Sequence, residues 1–105
     1  MNAPATTAYK LPRRTLVLGC GSVAQCALPL MVRDLKFDPT SIHIVDFRDN
    51  RSRVADLLKA GVTYEQDRVT RENLDAFLSA RVGDGDLLLD LAWNIDGPTI
   101  LEWCR

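Results

Sequence analysis

The chain has 105 residues, enough for one compact domain but too few for separate cofactor and substrate domains. Its 13 basic and 14 acidic side chains leave a net charge of −1, so no whole-molecule field is available to hold a phosphate backbone, and no nucleic-acid partner is expected. The apolar fraction of 47% and charged fraction of 26% are those of an ordinary soluble globular protein, and no apolar run approaches the ~20 residues that span a bilayer.

Residues 1–13 are rich in Ala, Thr and Pro, lack acidic residues, and contain no apolar stretch of signal-peptide length, so they read as a flexible tail. Thr15 to Leu18 then predicts a first strand and Ser22 to about Leu35 a first helix. Pro29 falls beyond the first turn of that helix and should kink or reshape it. The turn Phe37-Asp38-Pro39-Thr40 leads to a second strand, Ile42 to Val45. A second helix is expected from about Arg51 to Ala60, entered through Asp49 or Asn50 as cap and closed by Gly61. Val62 to Glu65 reads as a third strand, and Thr70 should cap a third helix running to about Arg81. Gly83-Asp84-Gly85 turns into Leu87-Leu88-Leu89, whose unbroken apolarity predicts a fourth strand covered on both faces. A last helix is expected over about Pro98 to Arg105.

Alternating strands and helices joined by right-handed crossovers predict an α/β fold: the first half of a Rossmann-like doubly wound parallel sheet, strand order 3-2-1-4. The fourth strand would have an open edge, so the pattern reads as truncated, and a homodimer or further chain would cover that edge. The three cysteines, Cys20, Cys26 and Cys104, form neither a disulfide framework nor a metal-ligand spacing; reduced thiols and a cytoplasmic setting are expected, with no metal.

Between the first strand and first helix stands Gly19-Cys20-Gly21-Ser22-Val23-Ala24. In such a turn the first glycine permits the bend, the second lets the backbone approach a pyrophosphate, and the third small residue lets helix and strand pack closely. Gly19, Gly21 and Ala24 fill those places, while Ser22 and Val23 bring backbone N–H groups to the positive end of the helix dipole. At the end of the second strand Asp46 could accept hydrogen bonds from the ribose 2'- and 3'-hydroxyls of NAD and repel the 2'-phosphate of NADP. Arg48 could instead meet such a phosphate. NAD is the expected cofactor, and residues 14–105 form its domain. Strand-end segments should supply further contacts: Asp67 to Thr70, including Val69 and Thr70, beside the adenine, and Ala92, Trp93 and Asn94 facing the phosphates and nicotinamide ribose. Trp93 is otherwise an apolar anchor and Asn94 a turn former. Cys20 reads as a packed small side chain, His43 as structural, and Glu65, Glu72, Asp75 and Glu102 mostly as solvent-facing carboxylates.

The glycine loop running into Gln25 and Ala27-Leu28-Pro29-Leu30 resembles the N-terminus of bacterial homospermidine synthases. So do Ile44-Val45-Asp46 with Arg48-Asp49, Val69-Thr70-Arg71-Glu72-Asn73-Leu74, and Ile100-Leu101-Glu102, and the likeness covers about residues 11 to 105. Those enzymes, related to the saccharopine dehydrogenase group, hold NAD tightly and join aminobutyl groups derived from putrescine to an amine. The resemblance therefore implies polyamine chemistry in which NAD takes a hydride and later returns it. It implies putrescine or a related polyamine as substrate, with amine-holding residues in a later domain and the catalytic residues outside these 105. The segment Ala92-Trp93-Asn94-Ile95-Asp96-Gly97-Pro98 departs from the Ser/Thr-rich loop of those enzymes, which bears on the substrate. A saccharopine or carboxyspermidine dehydrogenase-type reductase and a stand-alone NAD-sensing module are the alternative readings.

Overall fold

A computed structural model describes residues 11–92 and 97–105. Four strands, β1 (Thr15–Leu18), β2 (Ile42–Asp46), β3 (Thr63–Gln66) and β4 (Leu87–Asp90), form one parallel sheet in the order β3-β2-β1-β4. Thr15 pairs with Ile42 on one side and Leu87 on the other, and His43 pairs with Thr63. The expected 3-2-1-4 order of a Rossmann-like half-sheet is thus present. Helices α1 (Ser22–Arg33), α2 (Ala55–Ala60), α3 (Leu74–Ser79) and α4 (Gly97–Cys104) follow the four strands in turn. No helix among the described residues is long and apolar enough to cross a membrane.

Strand pleating sorts the core into two layers. Val17, Ile42 and Ile44 pack against Ala24 and Leu28 of α1 and Val54 and Leu57 around α2. Leu16, Leu18 and Val45 pack on the opposite face with Leu74, Phe77 and Leu78 of α3 and Ile100 of α4. Ala24 and Leu28, one helical turn apart, are fully buried, so α1 meets the sheet through a narrow seam. A side chain the size of Leu28 contributes roughly 1.5–3 kcal/mol when fully buried, relative to exposure. β4 departs from expectation: all four of its residues are half-buried, because an edge strand lacks a neighbour on one side even when its sequence is wholly apolar.

Several boundaries also differ. The first helix stops at Arg33 rather than Leu35; Lys36 adopts φ of +62°, which turns the chain so that the Phe37 N–H reaches the Met31 carbonyl at 3.1 Å. Pro29 does not break this helix. It lies on the exposed face, where water can reach the Gln25 carbonyl that loses its partner. The second helical segment is a 3-10 turn, Arg51–Val54, joined to α2 at Val54. Asp49 accepts from the Arg51 N–H at 3.2 Å, whereas Asn50 turns its side chain elsewhere. Gly61 closes α2 at φ of +121°. The third strand is shifted by one residue, to Thr63–Gln66. Thr70 does not cap the third helix directly: its hydroxyl accepts from the Asn73 N–H at 3.2 Å and its N–H donates to Asn73 Oδ1 at 2.7 Å. That reciprocal pair holds Arg71 to Asn73 in a turn, so α3 starts at Leu74 and ends at Ser79, short of Arg81.

At the opposite end of the sheet from the glycine turn, Asp86 ties β4 to the residues before β1. Its carboxylate accepts from Arg14 Nη2 at 2.8 Å, Arg13 Nε at 3.4 Å and the Gly83 N–H at 2.9 Å. Glu65, expected to face water, is half-buried beneath Arg81, which reaches it at 2.6 Å, and His43, at 2.8 Å. His43 also meets Thr63 Oγ1 at 2.6 Å, so this histidine ties β2 to β3, and Glu65 carries the link on to Arg81 after α3. Residues 1–10 of the expected tail lie outside the described residues.

Candidate functional site

The glycine turn is shaped by backbone sterics. Gly19 has φ of +101°, and a Cβ there would lie 2.8 Å from the Ala92 nitrogen. Only glycine lets the chain leaving β1 pass so close to the chain leaving β4. Gly21 differs: among the described residues an added Cβ would meet only Arg48 Nη2, at 3.7 Å, an ordinary contact. The space beside Gly21 is therefore left open, as a backbone that must admit a ligand requires. Ala24, third in the pattern, is fully buried against the sheet. Among the described residues no side chain caps α1, whose first backbone bond runs from the Gln25 N–H to the Gly21 carbonyl at 3.0 Å. Ser22 and Val23 lie exposed in its first turn.

Gly19, Gly21, Asp46, Val69 and Ala92 come together in one crevice at the carboxyl ends of the strands, joined by Leu18, Val45, Phe47, Arg48, Asp67 and Leu91. Ser22, Val23 and Thr70 do not line it, and Thr70 is committed to Asn73. Trp93 and Asn94 lie outside the described residues.

Asp46 is the buried charge of this site. One carboxylate oxygen accepts from the Cys20 N–H at 2.6 Å and from Arg48 Nη2 at 3.2 Å. The other accepts from the Arg48 N–H at 2.8 Å and Arg48 Nε at 3.2 Å. Burial opposes ionisation, but these bonds and the Arg48 charge outweigh it and hold the carboxyl below its ordinary range. Asp46 is a carboxylate at neutral pH, an acceptor only. The Cys20 thiol is pushed up by burial and by Asp46, which keeps it a neutral packed side chain.

Asn50 had no sequence signal beyond that of a helix cap. Its Nδ2 donates to the Cys20 carbonyl at 2.8 Å, and its backbone N–H donates to Tyr64 Oη at 3.1 Å. Tyr64 in turn donates to the Arg48 carbonyl at 2.6 Å. The Cys20 residue between the two glycines is thus gripped on its N–H by Asp46 and on its carbonyl by Asn50. Only the alternation of Gly-x-Gly with a following acidic strand end was visible in sequence; contacts spanning 26 and 30 residues have no local pattern.

An open glycine cradle, a helix start without a side-chain cap and a buried carboxylate at the neighbouring strand end fit the phosphate and ribose parts of a dinucleotide. Residues 15–105 match the family described as saccharopine dehydrogenase NADP binding domain. Similar relatives include the homospermidine synthase of Mesorhizobium japonicum, 30% identical over 93 residues covering 86% of this chain. Another is the homospermidine synthase of Blastochloris viridis, 28% identical over 101 residues covering 92% of this chain. The chain spans 19% and 20% of the lengths of these two curated relatives, about a fifth of each.

Proposed function

The chain belongs to the saccharopine dehydrogenase NADP-binding-domain family, and we propose that it is the NAD-binding part of a homospermidine synthase-like enzyme of polyamine biosynthesis. The observation that carries this reading is the ionised Asp46 set against the glycine turn in a chain similar to homospermidine synthases. Gly21 and the α1 start would take the pyrophosphate, and Asp46 the adenosine ribose hydroxyls, with Val69 and Asp67 beside the adenine. The negative charge of Asp46 favours NAD over a cofactor bearing a 2'-phosphate. Bound NAD would supply a hydride acceptor toward an amine carbon and a donor toward an imine.

Putrescine or a related polyamine is the substrate in this reading, with NAD returned unchanged. The 105 residues would hold the cofactor without turning over amines by themselves. A homodimer would shelter the half-exposed β4 edge, and the three free cysteines suit a reducing, cytoplasmic setting.

Calorimetric titration with NAD and NADP is the test. NAD binding tighter than NADP binding is the expected result. Binding of neither cofactor, or NADP held about tenfold tighter, overturns the reading. An assay of putrescine with the whole enzyme should show amine transfer with no net NADH accumulated; net NADH consumption would favour a carboxyspermidine-type reductase instead.

A further inference from the structure

Asp46 has its full complement of donors. A carboxylate offers about four lone-pair positions, and each oxygen here receives two N–H groups. Two come from the backbone of Cys20 and Arg48 and are built into the fold. The other two come from one guanidinium, Nε on one oxygen and Nη2 on the other, in a fork. A ribose presents two hydroxyl donors and needs the same two positions. The Asp46 side chain is 2% exposed, whereas that of Arg48 is 45% exposed, so the guanidinium covers the carboxylate from the solvent side. It lies over the Phe47 ring at 5.2 Å and beside the space at Gly21. The crevice itself offers about 50 Å³, far below the ~300–1,000 Å³ of small-molecule sites.

From this geometry we propose that Arg48 is a latch: it occupies the two acceptor positions on Asp46 that the adenosine ribose of NAD requires, and NAD is bound only when the guanidinium has swung off. This rests on the cofactor reading above and adds a residue that sets selectivity. Once released, the same guanidinium stands at the crevice mouth, where it can meet a 2'-phosphate. Arg48 therefore opposes NAD and supports NADP. A residue that simply contacted the cofactor would support both.

The test compares the natural protein with R48A and R48Q by calorimetric titration against NAD and NADP at fixed ionic strength. Because the latched fraction withholds the site, NAD should bind the variants roughly threefold to tenfold tighter. NADP should bind them roughly tenfold more weakly, its phosphate partner being gone. Weakened NAD binding in both variants, or no change, overturns the latch. Should NADP bind none of the proteins, the sign of the NAD change decides alone. Absence of binding of either cofactor to the natural protein and to both variants defeats the cofactor reading itself, a result distinct from a wrong sign. R48A takes two donors from a buried carboxylate, so circular dichroism melts fix a temperature at which every variant is fully folded; should R48A melt too early, R48Q, which keeps one donor, carries the comparison.

Discussion

The Cys20 N–H and the Asp46 carboxylate, 26 residues apart in sequence, meet at 2.6 Å and join the glycine turn to the end of β2. Replacing Asp46 by Ala orphans this buried donor and releases Arg48, so the protein should lose about 1–3 kcal/mol of stability in urea unfolding. Asp46→Asn keeps one acceptor oxygen and should lose less. Both variants should lose the preference for NAD over NADP, which titration reads directly. An Asp46→Ala protein as stable as the parent would show that this bond carries nothing.

The two glycines of the turn should separate stability from binding. Gly19→Ala forces a side chain into φ of +101° and against the Ala92 backbone at 2.8 Å, a loss of about 2–5 kcal/mol from strain and overpacking together. Among the described residues Gly21→Ala meets only Arg48, at an ordinary distance, so the melt should shift by less than about 1 kcal/mol equivalent. The new methyl group nonetheless fills the space where a pyrophosphate would approach, and NAD affinity should fall at least about tenfold. Equal destabilisation by both substitutions would contradict this division.

What could be read in the sequence follows the same division between local and distant physics. Strand order came from the alternation of apolar runs and helical stretches, because parallel strands require crossovers and crossovers have one hand. Gly19, Gly21, Ala24 and Asp46 were visible since each answers a local backbone or strand-end requirement. The α3 start was misplaced because Asn73 competes with the helix through its side chain, and the Val54 break between two helical pieces carries no glycine or proline. Arg48 on Asp46 and Asn50 on Cys20 were hidden for a different reason. Charge and amide side chains look solvent-facing in sequence until the fold brings an acceptor to them.

Acid should expose the role of Asp86. Its buried carboxyl is opposed by desolvation yet drawn down to about 2 by the Gly83 N–H and by Arg14 and Arg13. A carboxyl depressed in the folded state adds stability that is complete above its unfolded pKa of about 4 and is lost as pH falls toward 2. Asp46 acts in the same direction. Urea midpoints should therefore hold steady above about pH 5 and fall steeply below pH 4, and Asp86→Asn should flatten part of that fall. An identical acid profile in Asp86→Asn would remove Asp86 from the account.

Asn50 and Tyr64 form the second hold on the glycine turn, and a double-mutant cycle should reveal their coupling. Asn50→Ala removes the donor to the Cys20 carbonyl, which retains a weaker bond from Gln25 Nε2 at 3.3 Å, so a loss of about 0.5–1.5 kcal/mol is expected. Tyr64→Phe removes the hydroxyl that accepts from the Asn50 N–H and donates to the Arg48 carbonyl, with a loss of similar size. Both act by fixing the same loop against the same turn. The double variant should consequently fall short of the sum by at least about 0.5 kcal/mol, and NAD affinity should drop in Asn50→Ala under conditions where all variants are fully folded. Strict additivity, with unchanged NAD affinity, would reduce Asn50 to an ordinary loop residue.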